Sequence, residues 1–268
     1  MLETEPLLHV PQSAAKSAVY PSLADKRVLI TGGSTGIGEG LVEAFVRQGA
    51  KVAFLDIAEA EGRELVERLS PGATHLPRFE HCDLTEIDAL EKCLGKILAE
   101  FGGIDILVNN AANDDRHAMT EVTPQYWDDR VAVNLRHLFF AAQAVAPSMI
   151  EAGGGVIINF GSISWHLALP DLVMYQTCKA AIEGLTRSLA RDLGEHNIRV
   201  NCVVPGGIKT PRQDALWHDE AETARILANQ CIKDRVLPRD VAALVLFLAS
   251  DDARMCTGHN YFVDAGWR

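Results

Sequence analysis

From residue 27 onward, short runs rich in Val, Ile and Leu alternate with longer stretches in which apolar residues recur every three to four positions. The first kind of run suits a strand buried on both faces, and the second suits a helix with one apolar side. Their alternation specifies a parallel sheet covered by helices above and below. Strands are expected at 27–31, 51–55, 105–109, 156–160, 199–204 and 260–263, with a weaker one at 75–80. Helices are expected at 36–48, 58–69, 86–101, 124–150, 175–193 and 239–249. The predicted fold class is α/β, a doubly wound sheet of seven mostly parallel strands in a single domain over 23–268. Residues 1–22 carry no periodic pattern and read as an N-terminal arm, extended or partly disordered.

Composition excludes several classes of function. With 48% apolar and 23% charged residues, the 268-residue chain can build a core without staples. The 36 Asp and Glu outnumber the 25 Lys and Arg, and a net charge of -11 has the wrong sign for neutralising nucleic-acid phosphates. The longest apolar run, 241–249, is about half a membrane span, so no membrane partner is expected. Six cysteines stand scattered at 82, 93, 178, 202, 231 and 256, without a Cys-x-x-Cys pair or a neighbouring His at zinc spacing. Neither disulfides nor a metal site is expected, and buried thiols in a reducing compartment, the cytoplasm, are. The first 23 residues mix Glu3 and Glu5 with three prolines, unlike the basic start and apolar run of a secretory leader.

The first strand runs directly into Thr31-Gly32-Gly33-Ser34-Thr35-Gly36-Ile37-Gly38. A glycine-rich turn that opens a helix presents backbone N–H groups and the positive end of the helix dipole, and so holds a pyrophosphate. Asp56, at the end of the second strand, is placed to accept hydrogen bonds from an adenosine ribose and to repel the extra phosphate of NADP, which favours NAD. Gly32 to Gly36 also matches the Gly-x-Ser-x-Gly elbow of hydrolases. That reading needs an oxyanion donor from an earlier strand–helix loop, and no sheet precedes residue 27 to supply one.

Tyr175 and Lys179 are four apart and share a helix face. An unperturbed tyrosine is only about 0.1% ionised at pH 7, so using it as a base requires a nearby cation, and Lys179 carries one. Ser162 follows the fifth strand, at the sheet edge where open α/β folds bind ligands.

Taken together, these motifs resemble the short-chain dehydrogenase/reductase family over essentially all of 26–268, which implies a Rossmann-type fold. The family's Thr-Gly-x-x-x-Gly-x-Gly falls on residues 31–38, its Asp-Leu on Asp83-Leu84, and its Pro-Gly on Pro205-Gly206. Its Asn-Asn-Ala-Gly falls on Asn109-Asn110-Ala111-Ala112, where Ala112 replaces the glycine and is expected to alter packing near the cofactor without abolishing binding. The resemblance implies catalytic roles for Asn134, Ser162, Tyr175 and Lys179. Tyr175 would be the base, Lys179 would lower its pKa, Ser162 would hold the substrate oxygen, and Asn134 would anchor a water, unless it is a buried amide at a helix irregularity. It also implies NAD contacts from Gly32, Ser34, Thr35, Gly36, Ile37, Gly38, Asp56, Ile57, Asp83, Leu84, Asn110, Ala111, Ala112, Tyr175, Lys179, Pro205, Gly206, Ile208 and Thr210. The helices 124–150 and 175–193 carry more apolar positions than one sheet face covers, and in this family the corresponding pair builds a dimer contact, so a homotetramer is expected.

Three polar segments bear on the substrate: Asn113 to His117, Ser162 to His166, and the ending Asp264 to Arg268, of which the last is not expected at the active-site edge. Asp, Asn, Arg and His beside Trp suit a sugar, which has many hydroxyls and an apolar C–H face. These segments resemble the aldose 1-dehydrogenases of the family. That implies NAD-dependent oxidation of D-xylose or L-arabinose at C1 to the aldonolactone, the first step of a non-phosphorylative pentose pathway. Substrate contacts are expected from Asn113, Asp114, Arg116, Ser162, Trp165, Tyr175 and Gln176. Asp114 and Arg116 could instead pair with each other and merely brace their loop. A dehydrogenase of another sugar or of hydrophobic alcohols, with residues 167–173 as a greasy lid, and a noncatalytic NAD-binding regulator are the alternatives.

Overall fold

The computed structural model describes residues 18–267, so most of the expected N-terminal arm lies outside the described residues. The strands are β1 (Arg27–Thr31), β2 (Lys51–Asp56), β3 (Arg78–His81), β4 (Ile106–Asn109), β5 (Gly155–Phe160), β6 (Ile198–Pro205) and β7 (Asn260–Val263). They form one sheet in the order β3-β2-β1-β4-β5-β6-β7, and every pair is parallel, where the sequence led us to expect a mostly parallel sheet. Between and after them run α1 (Gly36–Arg47), α2 (Glu59–Leu69), α3 (Ile87–Phe101), α4 (Pro124–Val131), α5 (His137–Glu151), α6 (Ile163–His166), α7 (Val173–Leu193), α8 (Pro211–Leu216), α9 (Glu220–Asn229) and α10 (Pro238–Ala249).

The period-two geometry of a strand sends alternate residues to opposite layers. Val28 and Ile30 pack with Leu41 and Phe45 of α1 and Val245 of α10, whereas Leu29 packs with Leu94 of α3 and Val145 of α5. All of these side chains are fully covered or within 1% of it, so each face is a closed apolar layer. The strand order reverses direction between β1 and β4, and the carboxyl ends of the strands meet at that switch point.

Two expected elements differ from those observed. The third strand begins at Arg78, because Pro71, Gly72 and Pro77 hold the preceding segment in turns and Pro77 has no N–H to give a ladder. The single helix expected over 124–150 is interrupted by a π-helical turn over Ala132–Arg136, between α4 and α5. An extra residue per turn rotates the side chains that follow, and wide turns of this kind frequently sit at functional sites.

Candidate active site

A cavity of about 1020 Å³ opens along the carboxyl ends of the strands. Of the residues singled out in the sequence, all but Ser34, Asn134, Trp165 and Gln176 line it.

One end is backbone-lined. A Cβ on Gly38 would stand 1.8 Å from the Gly32 carbonyl oxygen, and one on Gly32, whose φ is +66°, would stand 2.7 Å from Ala111 Cα. Only glycine lets this turn close. Thr35 precedes α1 in extended conformation without capping it through its side chain, so the N–H groups of the first turn are left for an anion. Asn110 Nδ2 donates to the carbonyls of Thr31 (3.1 Å) and Gly32 (2.8 Å), which locks the turn onto the end of β4. Asp56 accepts the N–H groups of Ser34 (2.9 Å) and Ala58 (3.0 Å), leaving further lone pairs at the cavity wall for ribose hydroxyls. This cradle fits an adenine dinucleotide: the glycine turn would take the pyrophosphate, and Asp56 and Ile57 the ribose side. Asp83 and Leu84 would flank the base, and Pro205, Gly206, Ile208 and Thr210 the far end. Ala112 keeps a negative φ, so the residue that replaces the family glycine carries no left-handed strain. Ser34 Oγ is buried with no hydrogen-bond partner among the described residues, which removes it as a hydrolase nucleophile.

Ser162, Tyr175 and Lys179 converge beyond the cradle. Ser162 follows β5 and caps α6, its Oγ 3.0 Å from Ser164 Oγ. Lys179 is 2% exposed, donates to the Phe160 carbonyl at 2.8 Å, and lies 5.3 Å from the centre of the Tyr175 ring. Burial draws the Lys179 pKa down to about 8. Tyr175 is shifted the other way: burial, and then the Asp114 carboxylate, push its phenol above the ordinary tyrosine value. The sequence reading has Lys179 lowering that pKa; in this structure the lowering influence is the hydrogen bond with Ser162, which burial and Asp114 outweigh, and the Lys179 ammonium donates to Phe160 O.

Asn134 lies within the π-helical turn and is fully buried. Its Oδ1 accepts the Asn113 N–H (2.8 Å) and its Nδ2 donates to the Arg130 carbonyl (3.0 Å). The side chain therefore ties the 113–117 loop to the irregular turn, and the contacts of Asn134 in the structure are those of a buried amide at a helix irregularity.

The cavity end around Asp114 and Arg116 is polar and more elaborate than the sequence suggested. Asp114 and Arg116 do not pair with each other. Asp114 accepts from Gln213 Nε2 (2.6 Å) and Arg212 Nη2 (3.3 Å) of α8, and Arg116 lies 4.7 Å over the Trp217 ring. Trp165 instead donates to the buried Glu183 (2.8 Å) and stacks on His166, while Gln176 donates to the Leu169 carbonyl (2.6 Å). Both sit outside the lining. Four residues that the sequence reading did not select, Gln213, His218, Glu222 and Trp267, complete this end. Trp267 belongs to the terminal segment not expected here, and it is brought in because that segment packs on Gly207 and Ile226.

This fold and this Ser–Tyr–Lys constellation beside a glycine-turn dinucleotide cradle define a nicotinamide-dependent oxidoreductase of CH–OH groups. The chain belongs to the short-chain dehydrogenase/reductase family, and residues 32–268 match the family described as "Enoyl-(Acyl carrier protein) reductase". It is 58% identical to the D-xylose 1-dehydrogenase of Caulobacter vibrioides, over 94% of this chain and 99% of that one. It is 46% identical to a Rhizobium meliloti protein named as a probable galactose dehydrogenase, over 93% and 98% of the two chains. Among solved structures, a 7α-hydroxysteroid dehydrogenase complexed with NADH and a 7-oxo bile acid superposes with a TM-score of 0.86 at 29% identity, covering 92% of this chain and 96% of that one.

Proposed function

We propose that the protein oxidises an aldopentose, D-xylose or L-arabinose, at C1 to the aldonolactone with NAD, as the first step of a non-phosphorylative pentose pathway. The observation that carries this reading is the opening of the Ser162–Tyr175–Lys179 centre onto a cavity end lined by Asp114, Arg116, His218 and Glu222. An apolar alcohol would leave their remaining donors and lone pairs desolvated and unmet, whereas a sugar's hydroxyls both donate and accept. The relationship to a D-xylose 1-dehydrogenase at 58% identity supports it.

In this reading Ser162 Oγ holds the C1 oxygen, and Tyr175 takes the proton from the C1 hydroxyl. Lys179, in its protonated form beside Tyr175, steadies the phenolate. Bound NAD supplies the acceptor for the hydride from C1, so one C–H and one O–H bond are exchanged for the lactone C=O. The choice of NAD rests on Asp56, whose carboxylate would stand against a 2'-phosphate. Asp56→Ala should narrow the preference for NAD over NADP in steady-state kinetics, and a wild type that prefers NADP would overturn this assignment. The protein is proposed to act in the cytoplasm, a reading supported by its free cysteines, and to assemble as a homotetramer.

The test is reduction of NAD with a panel of D-xylose, L-arabinose, D-galactose, D-glucose and hydrophobic secondary alcohols. The pentoses should give the highest kcat/KM. Faster turnover of the hydrophobic alcohols would overturn the aldose reading.

A further inference from the structure

His218 and Glu222 stand on either side of Asp219, the residue that caps α9, and both line the substrate end of the cavity. The hydrogen-bond partners of each fix what it can offer a ligand. Arg235 Nη2 lies 2.8 Å from His218 Nδ1, and its Nη1 donates to Thr223 Oγ1 at 3.0 Å. A guanidinium has only N–H groups, so Nδ1 must be the bare nitrogen and the ring proton sits on Nε2. Burial, followed by the charge of Arg235, holds the His218 pKa below the usual histidine range and keeps that neutral tautomer. The side chain is only 8% exposed, and its Nε2–H has no acceptor among the described residues. A donor without an acceptor at the wall of a cavity is open to a partner from the ligand.

Glu222 offers the complement. Arg225 clamps its carboxylate with two bonds of 2.7 Å, which lowers the Glu222 pKa and keeps the group ionised, while a carboxylate retains lone pairs beyond those two. The site thus presents a fixed donor and a fixed acceptor side by side. Two neighbouring hydroxyls of one molecule match such a pair, because one can accept from Nε2–H while the other donates to the carboxylate. Arg116, over Trp217, adds a cation beside them that no carboxylate of the chain neutralises by contact among the described residues.

We propose that His218 and Glu222 are the specificity-determining pair of this enzyme and bind a vicinal diol of the sugar away from the C1 oxygen that Ser162 and Tyr175 hold, the hydroxyls on C3 and C4. The inference rests on the aldose reading above. It makes selection depend on α9 as well as on the 113–117 loop.

The experiment measures kcat and KM for D-xylose and for its 3-deoxy and 4-deoxy analogues in wild type, His218→Leu, His218→Gln and Glu222→Gln. Melting temperature and NADH fluorescence verify that each variant folds and binds cofactor. His218→Leu and Glu222→Gln should each raise the KM for D-xylose by roughly tenfold to a hundredfold, with a smaller change in kcat. Against the analogue that lacks the matching hydroxyl, the same variants should lose less than about threefold, because the contact is already missing there. His218→Gln, which returns an N–H donor, should recover part of the loss. Should His218→Leu fail to fold, Glu222→Gln reads the same pairing from a more exposed position. Equal proportional losses for D-xylose and both analogues, or no loss, would make the pair a brace of α9 and overturn the inference alone. Absence of aldose turnover by the wild type would overturn the aldose reading and the inference with it.

Discussion

A tyrosine that is to act as a base must be ionised at the moment of reaction, and the surroundings of Tyr175 resist that. Burial and Asp114 both raise its pKa, so kcat/KM for oxidation should climb with pH through the alkaline range. Asp114→Asn removes one negative charge from the phenol's surroundings, and the rising limb of the pH profile should move to lower pH; an unmoved limb would mean that Asp114 is not felt at Tyr175. Tyr175→Phe should lower kcat by about a hundredfold to ten-thousandfold while NADH binding is kept, and turnover within tenfold of wild type would remove Tyr175 as the base. The residues proposed for catalysis and cofactor binding that line the cavity were legible as a group in the sequence because each is tied to a strand end or a helix period, which local spacing encodes. Trp165 and His218 were not. The partners that orient them, Glu183 and Arg235, lie 18 and 17 residues away, and nothing in the local pattern announces those pairings.

The seven strands and the long helices were legible because each buries a continuous apolar face, and a sheet covered on both sides leaves no other reading of those runs. What the sequence reading missed are the short elements over the cavity, whose signals are caps rather than stripes. Thr210-Pro211 opens α8 with Thr210 Oγ1 accepting the Gln213 N–H, and Asp219 opens α9 by accepting the Glu222 N–H at 2.7 Å. Both are helix-start signatures that an apolar-period search passes over. At the amino ends of the central strands, Arg27 of β1 grips Asp105 just before β4, with Nε and Nη2 donating at 2.9 and 2.6 Å and the Arg27 N–H at 2.8 Å. Burial alone would raise the Asp105 pKa; the bonds and charge of Arg27 outweigh it and lower the pKa. A depressed carboxyl pKa contributes stability that is present above the unfolded value, near 4, and lost as pH falls through the folded one. Asp105→Asn should therefore cost about 1 to 2 kcal/mol at neutral pH and progressively less in acid, read by denaturant melts at several pH values. Because the pair lies at the other end of the strands from the cavity, kcat should stay within twofold or so of wild type.

At the scale of the molecule, of the two long helices in which the sequence showed an apolar excess, the first carries large exposed apolar side chains and the stretch 175–193 carries none among the described residues, with Val173 just before it. Trp127 on α4 is 47% exposed, Phe139 and Ile150 on α5 are 41% and 40%, and Val173 at the start of α7 is 44%. Large apolar side chains left in water cost stability and mark surfaces that associate, and a patch repeated on every copy can close isologously about a two-fold axis. Two such axes would generate the proposed tetramer. Since α7 also carries Tyr175 and Lys179, and α4 leads through the π-helical turn to Asn134, association on this face would clamp the elements that hold the catalytic groups. A charge introduced at its centre should separate the copies: Phe139→Asp is expected to shift the mass in light scattering from tetramer toward dimer or monomer at micromolar concentration. Released subunits should lose kcat more than cofactor affinity, because the glycine cradle is built from β1, α1 and β4, away from that face. A wild-type monomer by light scattering would overturn the assembly, and an unchanged tetramer in Phe139→Asp would move the interface to another surface.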